Sequence, residues 1–490
     1  MFLSAAAQLR ALCRLASKLV LSAYSVKVRI VVHSPHRLKI VGCLLVSAFG
    51  LSIVSTASAA ELKRRGMVGV QLAPVPPSEG STEPGAGALI QGIVPGGAAE
   101  AAGLKANDVI IKIGDSEVAN LPGFMTAVRA FGAGDKAPFT VRRGEETLTV
   151  DVALADRPRE SSDKYEVVYD SVDVSGVRLR SYITRPKGDK KLPALLILPS
   201  PSPQPMEMLP QMADHPYKKL VDALTLAGFV TMRIDRFGVG DSEGGDPTKT
   251  TIQMDADAYR AAARQLGKLS YVDSNRVFIL SQGMGSAVAP FAAKDSGVRG
   301  IALYGATIFR PAQSGMSEAV RRMLLLNDPE DKRIDKTTSQ LEQFFTLVAD
   351  GAKPSEAFAK IEGLAEALES VGGAQGGDAY VMGVPYDYFM QIEKTDYAKA
   401  WAGVGAKVLV LWGEADYQAN RKDSELIAAS INKSKPGTAE FRALPGIDHV
   451  GNLATDQEDS FLSGYSASDM NPILVKTLSD WVEKTGNGNA

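Results

Sequence analysis

Cysteine is almost missing from this sequence: its 490 residues include two, Cys13 and Cys43. Both lie before residue 60, so the rest of the chain has no thiol, which excludes a disulfide framework and any thiolate metal or redox centre there. Histidine is nearly as scarce, four in all, and only His215 and His449 follow residue 60. Two are too few for a multi-histidine metal site, and neither a metal nor another cofactor is expected. An excess of positive charge is lacking too. The first 60 residues hold seven cations and no acid, and beyond them 47 basic residues face 56 acidic ones, a net charge of −9. Nucleic acid and anionic membrane surfaces are therefore not expected partners.

A membrane-length apolar run is also wanting near the amino terminus. The run over residues 40–54 is about 15 residues, short of the roughly 20 that span a bilayer. It follows the basic stretch and precedes "STASAAEL", in which Ala57, Ser58 and Ala59 are the small residues a signal peptidase accepts. Residues 1–60 thus read as a signal peptide with a long basic n-region, cleaved near Ala59 or Ala60. The expected location is the periplasm; an uncleaved inner-membrane anchor facing the periplasm is the alternative.

Two patterns follow. Over residues 61–155, short strands alternate with Gly-rich turns, and "RRGEE" between two alternating runs marks a hairpin. "RGMVGVQLAPV" and "IVPGGAAEAAGLKANDVIIKIGDSEV" resemble a bacterial-type PDZ domain. The resemblance implies that the loop of Gly66, Met67, Val68 and Gly69 offers N–H groups to a peptide's terminal carboxylate. The strand from Val70 would pair with the peptide, and a helix near 122–130 would form the other wall, so C-terminal peptides of other proteins are the implied partners. "ADRPRESSDKYE", with the linker placed at 156–165, is rich in charge, Ser and Pro.

From 166 to 485, near-continuous apolar strands ("ALLILP", "GFVTMRID", "NRVFILS", "VRGIALYG", "AKVLVLWG") alternate with helical segments. This pattern predicts a mostly parallel sheet covered on both faces. Helical patterns over about 310–382 interrupt the rhythm and predict an inserted cap. The "DRFGVGDSEG" turn, the "FILSQGMGSAVAP" turn, "LVLWGEADY" and "LPGIDHVGN", in this order, resemble the α/β-hydrolase superfamily, nearest to bacterial esterases and serine aminopeptidase-like enzymes. The expected fold class is therefore α/β: an α/β-hydrolase fold with a helical cap, preceded by a small, mostly β PDZ domain.

That resemblance implies a serine nucleophile, a carboxylate and a histidine, in this chain order. Asp416 matches the acid, with Glu414 a weaker substitute inside the turn, and His449 matches the base. The elbow reads Ser281, Gln282, Gly283, Met284, Gly285, so glycine holds the nucleophile position. Shifting the frame to Ser281 puts β-branched Ile279 where a small residue is needed. Ser286 falls in the helix after the elbow, facing away from the base.

The loop that normally gives one oxyanion N–H is "LPSPSPQPMEM", with prolines at 199, 201, 203 and 205, and proline has no N–H. Met284 and Ser200 are the oxyanion candidates, with Ser202 or Gln204 able to substitute for Ser200. Phe237 replaces an arginine usual in the family, which puts a local salt bridge in doubt. The favoured reading is an impaired or repurposed hydrolase that takes a small ester or peptide ligand. One alternative is an active hydrolase using Asp416 and His449 with water or a non-standard serine; another is a PDZ-based adaptor.

Overall fold

The structure, a computed structural model, describes residues 62–76, 85–307, 312–371, 377–464 and 469–487. The signal peptide and cleavage site read over 1–60 lie outside the described residues. Among those residues no helix is long and apolar enough to cross a membrane.

Six strands form the first sheet: β1 (Val70–Val75), β2 (Gly85–Ile93), β3 (Val109–Ile113), β4 (Ser116–Glu117), β5 (Lys136–Arg143) and β6 (Glu146–Ala153). Their order is β1-β2-β3-β5-β6, with β4 on β3, and all pairs are antiparallel. Alternation decides the face. In β5, Ala137, Phe139 and Val141 are buried while the residues between them are not, as a period of two requires. Val68, Ile90, Ile110, Phe124 and Val152 complete a core of this sheet's own. Helix Leu121–Val128 starts at Asn120, whose side chain accepts the Gly123 N–H at 2.9 Å, and lies along β1, an edge strand.

The second sheet has eight strands: β7 (Glu166–Val174), β8 (Val177–Arg185), β9 (Leu192–Leu198), β10 (Val230–Ile234), β11 (Val272–Gln282), β12 (Gly300–Tyr304) and, after a small hairpin of β13 (Tyr380–Val381) and β14 (Val384–Pro385), β15 (Lys407–Gly413) and β16 (Ala439–Leu444). Their order is β16-β15-β12-β11-β9-β10-β8-β7. Only the β7–β8 and β8–β10 pairs are antiparallel. Both faces of the central strands are covered, so β9, β12 and β15 are near-continuous apolar runs. Leu196, Leu198, Ile279, Ile301 and Val410 point into one core, and Leu195, Ile197, Phe278, Leu280 and Leu411 into the other.

This is the expected α/β-hydrolase arrangement following a β-rich PDZ unit. The chain leaves β9 for β10 on one side and returns to β11 on the other. The carboxyl ends of β9 and β11 therefore flank a topological switch point, where such sheets bind ligands. Between β12 and β15 come helices Ala312–Asn327, Ile334–Ala349, Pro354–Lys360 and Leu364–Glu369. The insertion runs on past 382 through β14 to helix Tyr386–Lys394.

The charged stretch over 156–165 is largely exposed but pinned to the large sheet. Glu160 is 3% exposed and pairs with Arg233 through two contacts, at 2.9 and 3.0 Å. Upstream of β1, Arg64 is equally buried, bonding Glu207 at 2.7 Å and Asp241 at 3.2 Å. Arg65 gives its N–H to Asp241, and Arg180 reaches the Leu62 carbonyl. These ions are buried in opposite-sign clusters, the arrangement in which burial of charge is tolerated, and they fix the amino-terminal segment to the large sheet. The salt bridge put in doubt by Phe237 forms one residue earlier, between Arg236 and Asp255 at 2.8 Å. Phe237 itself is buried against Gly244.

Candidate active site

Five loops leave the carboxyl ends of the parallel strands and meet at the switch point. Asp416 follows β15 by three residues and His449 follows β16 by five. Asp416 Oδ2 lies 2.9 Å from His449 Nδ1, and Oδ1 accepts the N–H groups of Gln418 and Ala419, each at 2.8 Å. Asp416 is fully buried and the His449 side chain 12% exposed. The carboxylate thus fixes the imidazole's orientation and leaves Nε2 to face the crevice. Burial pulls the His449 pKa down, but the charge and hydrogen bond of Asp416, helped by Asp448, outweigh it, and the net shift is up from 6.5. Glu414 is exposed and bonds the Leu444 carbonyl only through its backbone, so it takes no part in the pair.

The elbow keeps its shape without its serine. β11 ends at Gln282, Gly283 has φ +53°, and a short 3-10 turn, Gly283–Ala287, leads into helix Ala289–Ala293. A left-handed residue there is strained when it is serine and relaxed when it is glycine. A Cβ on Gly285 would meet the Leu198 carbonyl oxygen at 2.5 Å, which explains the second glycine. Ser281 lies inside β11 with its hydroxyl buried and unpartnered. Ser286 spends its hydroxyl on the Gly283 carbonyl at 2.7 Å. Neither serine offers a hydroxyl to His449.

Ser200 and Met284, the two oxyanion candidates, bind each other: the Met284 N–H donates to Ser200 Oγ at 3.0 Å. Strand register is the cause. Leu198 pairs with Ser281, so the residues two further along, Ser200 and Gly283, emerge side by side. A Cβ on Gly283 would stand 2.7 Å from Ser200 Oγ and 3.5 Å from His449 Nε2. The Ser200 hydroxyl therefore occupies the space that an elbow side chain would enter.

The groove between β1 and helix Leu121–Val128 is a cavity of about 850 Å³. Gly66, Met67, Val68, Gly69 and Val70 line it. The expected carboxylate loop needs one correction, because two of its donors are spent: the Gly66 N–H bonds the Phe131 carbonyl and the Met67 N–H the Ala155 carbonyl. The Val68 and Gly69 N–H groups have no partner among the described residues, and Arg65 and Arg129 supply cations at the wall. The opposite wall belongs to the large domain, through Pro203, Gln204, Pro205, Gly240 and Pro247. One loop, 199–206, thus carries Ser200 at one end and the groove wall at the other.

Gly305 was not legible as a site residue. It follows β12 with φ +58°, and a Cβ there would press on His449 Nδ1 at 3.0 Å and Asp416 Oδ2 at 3.1 Å. Its only sequence signal is a glycine directly after the apolar run "IALY". His215, the other candidate histidine, caps helix Pro216–Leu226 by accepting the Tyr217 N–H at 3.2 Å.

Residues 66–154 match the PDZ domain family model. Over 258 residues, 53% of this chain, the sequence is 22% identical to esterase EstD of Thermotoga maritima. The match spans 55% of that esterase, about half its length. Among solved structures, the α/β hydrolase GrgF from Penicillium sp. sh18 is 15% identical with a TM-score of 0.42, covering 66% of this chain and 99% of that one. The structure of ferulic acid bound to Est1E from Butyrivibrio proteoclasticus is 14% identical with a TM-score of 0.40, covering 64% and 98%. Porphyromonas gingivalis dipeptidyl peptidase 4 is 13% identical with a TM-score of 0.37, covering 71% and 40%.

Proposed function

Since the chain joins a PDZ domain to an α/β-hydrolase fold, we propose that it is an exported, periplasmic acyl hydrolase of esterase or peptidase ancestry whose site is repurposed, with Asp416 and His449 working without a serine at 283. The retained pair carries this reading. Burying a carboxylate is costly unless a partner and hydrogen bonds compensate it, and Asp416 is compensated on both oxygens, Oδ2 by His449 and Oδ1 by the Gln418 and Ala419 N–H groups that hold it in place. That is the environment a general base needs. Its ligand is a small ester or peptide, and C-terminal peptides of other proteins bind the PDZ groove by adding a strand to β1, with the Val68 and Gly69 N–H groups taking the carboxylate.

Turnover of short-chain p-nitrophenyl esters by the protein from residue 61 onward tests the hydrolase reading. Activity that falls at least about 10²-fold in His449→Ala supports it. Absence of turnover across esters and peptide anilides would sink it.

One observation favours a second reading, a binding scaffold without catalysis: the Met284 N–H, the usual oxyanion donor, is engaged by Ser200. On that reading, or that of an adaptor, peptides with a free carboxyl terminus bind and their amidated forms do not, while no ester is turned over.

A further inference from the structure

We infer that Ser200 is the nucleophile of this site, relocated from the elbow to the neighbouring strand end. The inference rests on the hydrolase reading above and names the group that reading leaves open.

Three observations converge on it. The pairing of Leu198 with Ser281 brings the β9 loop to the elbow, so residue 200 stands beside residue 283. The Ser200 hydroxyl lies 2.7 Å from where a serine Cβ would project at 283, and that same point is 3.5 Å from His449 Nε2. The hydroxyl and the base thus face one small volume. Finally, Ser200 Oγ accepts the Met284 N–H at 3.0 Å, while its own proton has only a 3.5 Å contact to the Gln282 carbonyl. The oxygen is held and its proton is barely committed, the state from which a nearby base takes it.

The prolines gain a purpose. Pro199 and Pro201 bracket Ser200 and restrict φ on either side. A nucleophile on a loop needs such stiffening to stay within reach of its base.

In the step itself, Ser200 Oγ bonds to the acyl carbon as its proton passes to His449 Nε2. The tetrahedral intermediate collapses, and the leaving alcohol or amine takes that proton, which leaves an acyl ester on Ser200. Water then gives a proton to His449 and attacks the acyl carbon, and Ser200 recovers its proton as the acid departs. The Met284 N–H is positioned to turn from the resting hydroxyl to the oxyanion on the adjoining carbon.

The test uses a fluorophosphonate probe and p-nitrophenyl butyrate on the protein from residue 61 onward. We expect one phosphonyl adduct, mapped by mass spectrometry to Ser200, absent in Ser200→Ala and slowed in His449→Ala. Ser200→Ala should lower kcat/KM about 10³-fold or more while the protein stays folded, with no more stability lost than the single hydrogen bond from the Met284 N–H supplies. Ser200→Cys should bind iodoacetamide at a rate that falls in His449→Ala, a readout independent of ester turnover. An adduct on another residue, or His449-dependent turnover that survives in Ser200→Ala, would overturn the assignment while leaving the hydrolase reading intact. No adduct and no turnover in the wild-type protein would overturn both.

Discussion

Replacing Gly283 by serine, with Ser200 either present or replaced by alanine, tests whether the two positions share one space. Gly283 has φ +53°, and a serine held there costs about 1–2 kcal/mol of stability. Its Cβ would stand 2.7 Å from Ser200 Oγ, closer than side-chain carbons tolerate, so the Ser200 hydroxyl must rotate away. That rotation gives up the hydrogen bond from the Met284 N–H, a loss of about 1 kcal/mol. Gly283→Ser alone is therefore expected to cost about 2–3 kcal/mol. In the Ser200→Ala background the hydrogen bond is already gone, and the same change should cost only the backbone strain, about 1–2 kcal/mol. The two substitutions should couple by about 1 kcal/mol in urea unfolding of the four proteins. Ester turnover adds a second readout: the double variant should recover what Ser200→Ala loses, with the phosphonyl adduct moved to residue 283. Free energies that add to within about 0.5 kcal/mol, with no recovery of turnover, would refute the claim that the two hydroxyls compete for one volume.

The acid limb of kcat/KM against pH should lie above 6.5, because the neutral imidazole is the base and the His449 pKa is raised; Asp416→Asn should bring the limb below 6.5 and lower the plateau. The same shift means that the His449–Asp416 pair contributes stability that is full below the unfolded pKa and lost as pH rises through the folded one. Asp235 runs on the acid side of the ledger: burial, with Asp241 and Glu207 nearby, raises its pKa from 3.8 to about 7 against the opposing hydrogen bonds of Met206 and Tyr182. The folded state therefore binds the extra proton, stability falls as pH rises from about 4 to 7, and Asp235→Asn should raise the melting temperature more at pH 8 than at pH 5. Arg64→Ala leaves Glu207 and Asp241 buried with one cation fewer and should cost about 3 kcal/mol in urea unfolding. Adding Glu207→Gln should return part of that loss, and equal losses in both backgrounds would count against the ion cluster.

Much of this was readable from residues. The alternation of "ALLILP" and "NRVFILS" with helical segments specified a covered parallel sheet, because strands buried on both faces cannot alternate in polarity. The order of Asp416 and His449 after two such strands was equally legible. What could not be read was lateral position. Ser200 and Gly283 are neighbours only because β9 and β11 pair in one register, and a register is a property of two strands, not of either motif. The place of Glu160 within the charged stretch over 156–165 was hidden for a related reason: its partner Arg233 lies on a strand 73 residues away. Gly66 and Met67 looked like free donors because their acceptors, Phe131 and Ala155, are remote in the chain.

Glycine at an elbow is ordinarily taken to mean that the reaction has been abandoned, but the surroundings of Gly283 argue for exchange. An elbow serine pays for its function with a left-handed backbone, and glycine removes that strain. If nothing replaced the hydroxyl, Asp416 would remain buried to orient a histidine facing an empty point, at a desolvation cost with no return. The nearest polar atom to that point is Ser200 Oγ, on a loop whose flanking prolines restrict it and whose far end walls the PDZ groove. A peptide seated in the groove would touch Pro203 to Pro205 and so bear on the segment that positions Ser200. A nucleophile on the 199–206 loop stands on the same segment that walls the groove, so a bound peptide bears on its alignment with His449.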